Sequence, residues 1–97
     1  MKRQYDPAFI KALKKVDVRI RNSFKEKIAI FARNTNDPVL NNHLLKREYK
    51  EYRSIDITAD YRAIYEEIKE DGEDIAYFIS IGTHQELYRG NPKKRGV

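Results

Sequence analysis

Two histidines, His43 and His84, are the side chains of this 97-residue chain that titrate near neutrality without help from their surroundings. They are the first candidates for moving protons as general acid or general base. No cysteine accompanies them, which excludes thiolate nucleophiles, thiolate metal sites and disulfides. The histidines stand far apart in the chain among scattered Asp residues, a spacing that makes no zinc site. The four glycines are isolated, so no loop is built to cradle phosphate, and no Ser-His-Asp arrangement has local support. Each histidine also has a plainer reading. His43 follows Asn41 and Asn42 in an expected loop, where an exposed imidazole needs no explanation. Thr83-His84-Gln85-Glu86 fits a capping box, with Thr83 as N-cap and Glu86 at N3, so that His84 opens a short helix. The two readings of His84 are compatible, because the first position of a helix can face a phosphate.

The elements that must position these residues divide the chain in two. Asp6-Pro7 is a helix start, Asp as N-cap and Pro at the first helical position. Phe9, Ala12, Leu13 and Val16 then fall on one helix face. Asp17 caps a second expected helix, whose stripe is Ile20, Phe24, Ile28, Phe31 and Ala32. So short a joint makes the pair an antiparallel helical hairpin, and the Asn34–Pro38 stretch ends it. The second half changes period. Ser54–Thr58 and Arg62–Glu66 alternate, and Ile75–Ile81 is apolar on both faces, as in a central strand. Thr58–Tyr61 is expected to be a tight turn, Lys69–Asp74 a longer hairpin tip, and residues 2–5 a short edge strand. The expected fold is α+β, a helical hairpin on a small, mostly antiparallel sheet in the order β-α-α-β-β-β. Residues 1–90 read as one domain and 91–97 as a flexible basic tail.

Charge is divided as sharply as structure. The net charge is +5, but residues 1–35 hold ten Lys/Arg against three Asp/Glu, and residues 54–88 hold two against nine. Six of those nine acids lie within Glu66–Asp74. A basic front and a basic tail around an acidic centre can steer an anionic partner, although a solvated surface alone would also be charged. No stretch is long and apolar enough to span a membrane. The start, Met-Lys-Arg-Gln-Tyr, lacks the apolar run of a signal peptide, so a cytoplasmic location is expected.

The second half carries a resemblance. His43-Leu44-Leu45, Tyr52-Arg53-Ser54-Ile55-Asp56-Ile57, Asp60-Tyr61-Arg62-Ala63-Ile64-Tyr65 and Ile81-Gly82-Thr83-His84-Gln85-Glu86-Leu87-Tyr88 resemble, in that order, the RelE/ParE toxin superfamily and within it the YafQ-like branch. Several spaced motifs in order are more specific than any one alone. The resemblance implies a RelE-like fold and a toxin neutralised by a cognate antitoxin protein. It also implies a ribosome-dependent endoribonuclease acting on mRNA without metal or other cofactor. In that chemistry the 2′-OH attacks its own phosphate while protein groups take and give protons.

On this resemblance His43, His84, Asp60 and Arg53 are the expected catalytic residues. The histidines move protons, Asp60 orients or acts as base, and Arg53 holds phosphate bidentately. Tyr61 and Tyr88 are expected to stack on bases, and Lys46, Arg47 and Lys50 to touch the RNA backbone. Plainer readings stand beside each. Asp60 is equally a turn residue bonding its own backbone, Arg53 a strand residue paired with Asp56 or a hairpin acid, and Tyr88 a plug for the last helical turn. The basic loop would look the same if merely solvated.

The sequence also departs from the YafQ-like pattern. Asp56 replaces a second strand histidine, Ser80 replaces an arginine, and Arg47 and Glu51 replace glycines. Losing that arginine weakens transition-state stabilisation by a few kcal/mol unless Arg53, Arg62 or Arg89 reaches the same place. Two other functions therefore stay in view: a ParE-like protein that inhibits gyrase by binding, and a catalytically weakened member that acts by binding an antitoxin.

Overall fold

The computed structural model describes residues 1–45 and 51–89, with side chains as far as Leu87. Nine elements follow in chain order. They are β1 (Lys2–Tyr5), α1 (Pro7–Lys15), α2 (Val18–Arg33), a single 3-10 turn (Pro38–Leu40), β2 (His43–Leu44), β3 (Tyr52–Asp56), β4 (Tyr61–Glu70), β5 (Glu73–Thr83) and α3 (His84–Arg89). The expected α+β layers form. One five-stranded sheet runs β1-β5-β4-β3-β2, antiparallel except for the β1–β5 pair.

Both helix starts form as the sequence implies. The Asp6 carboxylate accepts the Ala8 amide at 2.8 Å ahead of Pro7, and Asp17 accepts the Arg19 amide at 2.7 Å. That backbone bond, with the Arg19 side chain beside it, holds the exposed Asp17 carboxyl below its usual range. Arg21 reaches back to give Nη1 to the carbonyls of Lys14 and Val16, satisfying the end of α1.

Phe9 from α1 and Phe24 and Phe31 from α2 meet Ile55, Ala63, Tyr65, Ala76, Phe78 and Ile81 of the sheet, and Ile57 just beyond β3, in the main core. Ala32, expected on the α2 stripe, is exposed, and Ile30 packs against the core instead. A second, smaller cluster on the other sheet face joins Leu45, Ile64, Ile79 and Leu87. It explains the two-sided apolar character of β5. It also depends on a bulge, since Ile64 pairs with Ser80 but Tyr65 pairs with Phe78, leaving Ile79 as the extra residue. The phase shift lets Phe78 and Ile81 both enter the main core while Ile79 turns to the opposite face.

Two expectations are corrected. The β4–β5 tip is tighter than Lys69–Asp74: Glu70 pairs with Glu73, and only Asp71 and Gly72 turn the chain, with φ of 53° and 78°. Asp-Gly with both φ positive is the two-residue turn whose twist matches a hairpin. His43 does not sit in a loop. It pairs with Ser54 as part of the edge strand β2, two residues being too few to show a period.

Burial raises the phenol pKa of Tyr5 and Tyr65 above the usual 10.0, Arg3 and Asn42 partly opposing it. A group whose folded pKa is raised contributes stability that is present below its unfolded pKa and lost as pH rises through the folded one. The urea midpoint of the chain is expected to fall as pH climbs above about 10, with a shallower slope in Tyr65→Phe. Identical slopes in the two proteins would contradict this.

Candidate functional site

Strand register sorts the candidate residues by face. His43 pairs with Ser54, Ser54 with Ile64 and Ile64 with Ser80. Directly opposed residues share a face, so these four form one row on the α3 side of the sheet. The next row is Asp56, Arg62 and Gly82. Gly82 is where α3 folds back: a Cβ there would lie 3.1 Å from Glu86 Oε1 and 3.4 Å from Leu87 Cδ2. The expected capping box closes that fold, with the Thr83 amide giving to Glu86 Oε1 at 2.9 Å and the Glu86 amide to Thr83 Oγ1 at 3.1 Å.

His43 is exposed, and its Nδ1 lies 2.7 Å from the Asn41 carbonyl. A carbonyl only accepts, so Nδ1 carries the proton and Nε2 keeps its lone pair in the neutral ring. Asn41 presents that carbonyl from a left-handed conformation, φ 48°, while its Nδ2 reaches Asp56 Oδ2 at 3.5 Å.

His84 and Asp60 are brought together. The His84 amide gives to the Asp60 carbonyl at 3.1 Å, and the two residues line a hollow of 390 Å³ with Ala59, Tyr61, Thr83 and Gln85. The Asp60 side chain does not make its own turn. Thr58 Oγ1 accepts the Asp60 and Tyr61 amides, and Arg62 Nη1 gives to the carbonyls of Thr58, Ala59 and Tyr61. Arg62 also faces Asp56 at 3.0 Å. It is thereby committed to the turn and to Asp56, and does not stand in for the arginine that Ser80 replaces.

The structure does not gather the rest of the set. Alternation along β3 puts Arg53 on the hairpin face, paired in register with Tyr65, away from Asp56 and His43. Arg53 Nε gives to Asn42 Oδ1 at 2.9 Å, so neither a pair with Asp56 nor one with a hairpin acid forms. Tyr61 lines the hollow, yet its ring packs against the main core as a wall. His43 belongs to the edge strand three strand spacings from β5, about 14 Å, with Asp56–Arg62 and Ser80 on the floor between it and α3. Lys46, Arg47 and Lys50, the Tyr88 side chain and the tail lie outside the described residues. No group of three metal-ligating side chains occurs among the described residues, and no described helix is long and apolar enough to cross a membrane. Sequence reasoning missed Asn41 and Asn42, whose only signal was their position before His43.

This sheet, backed by a helical hairpin on one face and closed by a short C-terminal helix on the other, is the fold of the RelE/ParE superfamily. YafQ from E. coli strain BL21(DE3) is 25% identical over 90% of this chain and 97% of its own, with a TM-score of 0.71. The E. coli DinJ–YafQ toxin–antitoxin complex matches at 24% identity, 90% and 96% coverage and a TM-score of 0.65. A mutant of the E. coli toxin RelE in the free state matches at 19%, 99% and 97% coverage and 0.68. The last two show the fold alone. Comparison with curated proteins gives no match. Residues 4–88 match the family profile described as ParE toxin of type II toxin-antitoxin system, parDE, and the chain belongs to that family.

Proposed function

We propose that this toxin is a metal-independent endoribonuclease that cuts mRNA on the ribosome, and that an antitoxin neutralises it as DinJ accompanies YafQ in their complex. The observation that carries the reading is His43: exposed on an edge strand, with Nδ1 committed to the Asn41 carbonyl and Nε2 left as a proton acceptor. Nε2 takes the proton of the 2′-OH as its oxygen attacks phosphorus. The 5′-oxygen leaves with a proton relayed from His84 by water across the floor that separates it from His43, and the products are a 2′,3′-cyclic phosphate and a 5′-hydroxyl. Asp60, in the hollow with His84, accepts a hydrogen bond from the imidazole and orients it. Substrate spans the Asp56–Arg62 floor, Tyr61 and Tyr88 bound the bases, and Lys46, Arg47 and Lys50 meet backbone phosphates.

The ParE profile favours a second reading, a toxin that binds gyrase. Induction in cells, with transcript ends and plasmid supercoiling followed together, separates the two. The nuclease reading predicts new ends within translated messages and unchanged supercoiling. Intact messages with altered supercoiling would reject it in favour of gyrase.

A further inference from the structure

Arg53 lies on the wrong face of the sheet to hold a phosphate beside His43, and what it holds instead is Asn42. The Asn42 side chain is fully used. Its Oδ1 accepts from Arg53 Nε at 2.9 Å, and its Nδ2 gives to the Thr35 carbonyl at 2.9 Å and to the Tyr65 hydroxyl at 2.8 Å. One amide thus ties the α2 exit, β3 and β4 together through a half-buried polar network. Tyr65 is 1% exposed and packs in the main core, 5.1 Å from Phe78 and 5.2 Å from Phe31 between ring centroids, so the network is anchored to the buried aromatic core. Asn42 is flanked by the two residues that define the imidazole, Asn41 with its carbonyl and His43 with its ring. On the opposite face Asp56 holds the Asn41 side chain. Residues 41–43 are gripped from both sides of the sheet.

We infer that Arg53, acting through Asn42 and Tyr65, is a positioning residue that fixes His43 in the Nδ1–H tautomer. Its guanidinium supplies a rigid, permanently charged donor to Asn42. With Asn42 loose, the Asn41 carbonyl loses its place, and the ring reverts to the mixture of tautomers that a solvated imidazole adopts. Asp56, where the YafQ-like pattern has histidine, belongs to the same grip rather than to the proton transfer. This inference deepens the nuclease reading and rests on it for its catalytic meaning, but the tautomer is measured without RNA.

The test is nitrogen-15 NMR of the imidazoles in the purified chain at a pH where they are neutral. The wild type is expected to show His43 protonated at Nδ1. Arg53→Met is expected to move its shifts toward the Nε2–H form, with those of His84 unchanged as evidence of an intact fold. Arg53→Lys, which keeps a donor, is expected to restore the wild-type pattern, and Asn42→Ala to reproduce the Arg53→Met change even if Arg53→Met fails to fold. In RNA cleavage Arg53→Met would lower kcat by about tenfold with KM kept. A His43 tautomer that is the same in wild type, Arg53→Met and Asn42→Ala would overturn the inference. A wild-type chain that fails to cleave RNA, with the tautomer still shifting in Arg53→Met, would reject the nuclease reading while the positioning role stood.

Discussion

His43→Gln is expected to lower single-turnover mRNA cleavage by about 10²- to 10⁴-fold while leaving stability within about 0.5 kcal/mol of the wild type. Glutamine keeps a hydrogen-bonding side chain of similar reach but offers no basic nitrogen. The side chain is exposed and its ring nitrogen bonds the nearby Asn41 carbonyl, so little packing is lost. The same substitution at His84 removes the group assigned to the leaving oxygen and is expected to cost a similar factor. The two together should cost much less than the product of the single effects, as groups serving one transition state do. Single-turnover cleavage measured with a thermal or urea melt on the same preparations checks this. Full activity in either variant would remove that histidine from the mechanism.

Phe78→Ala is expected to destabilise the fold by about 3–5 kcal/mol. Phe78 is 0% exposed and is the hub of the aromatic core. Its ring centroid lies within 5.1–6.4 Å of Tyr5, Phe9, Phe24, Phe31 and Tyr65, which join it to β1, both hairpin helices and β4. The side chain is lost where several elements meet, so no single neighbour can move in without leaving its own contacts. Domains of this size are stable by about 5–15 kcal/mol in total, so the variant would approach the unfolding threshold at body temperature. The urea midpoint is the measurement. A loss below about 1 kcal/mol would show that the core collapses around the gap, contrary to the close packing described.

The parts of the fold that were readable in advance are those with local causes. Asp6-Pro7, Asp17 and the Thr83–Glu86 box each put a specific donor and acceptor a few residues apart, and all three form. The helical stripe and the strand alternation were readable because burial imposes a period. What was not readable depends on register. That Arg53 and Asp56, three apart in one strand, take opposite faces follows from alternation alone, but that Arg53 meets Asn42 depends on which face packs on the helices and on where residues 42–44 lie along β3. The bulge at Ile79 changes phase within a continuous apolar run, so no alternation marks it. Residues His43–Leu44 form a strand only because β3 offers them an edge.

The candidate site divides in the same way. The two histidines could be named from side-chain chemistry alone, whereas the meeting of His84 with Asp60 comes from the pairing of Tyr61 with Thr83. The device that orients His43 could not, because Asn41 and Asn42 act through carbonyl and amide groups that many loop asparagines also carry. Asp56 illustrates the point. In the sequence it is a missing histidine, whereas in the structure it faces Arg62 and the Asn41 side chain.

The most direct test of the account is the chemistry of the ends made when the purified wild-type chain meets translating ribosomes, with His43→Gln alongside. Attack by the 2′-OH leaves a 2′,3′-cyclic phosphate on one fragment and a 5′-hydroxyl on the other, and both are expected in the wild type and neither in the variant. Messages left intact by a wild-type chain that still arrests growth, or cut ends carrying 5′-phosphate, would contradict it.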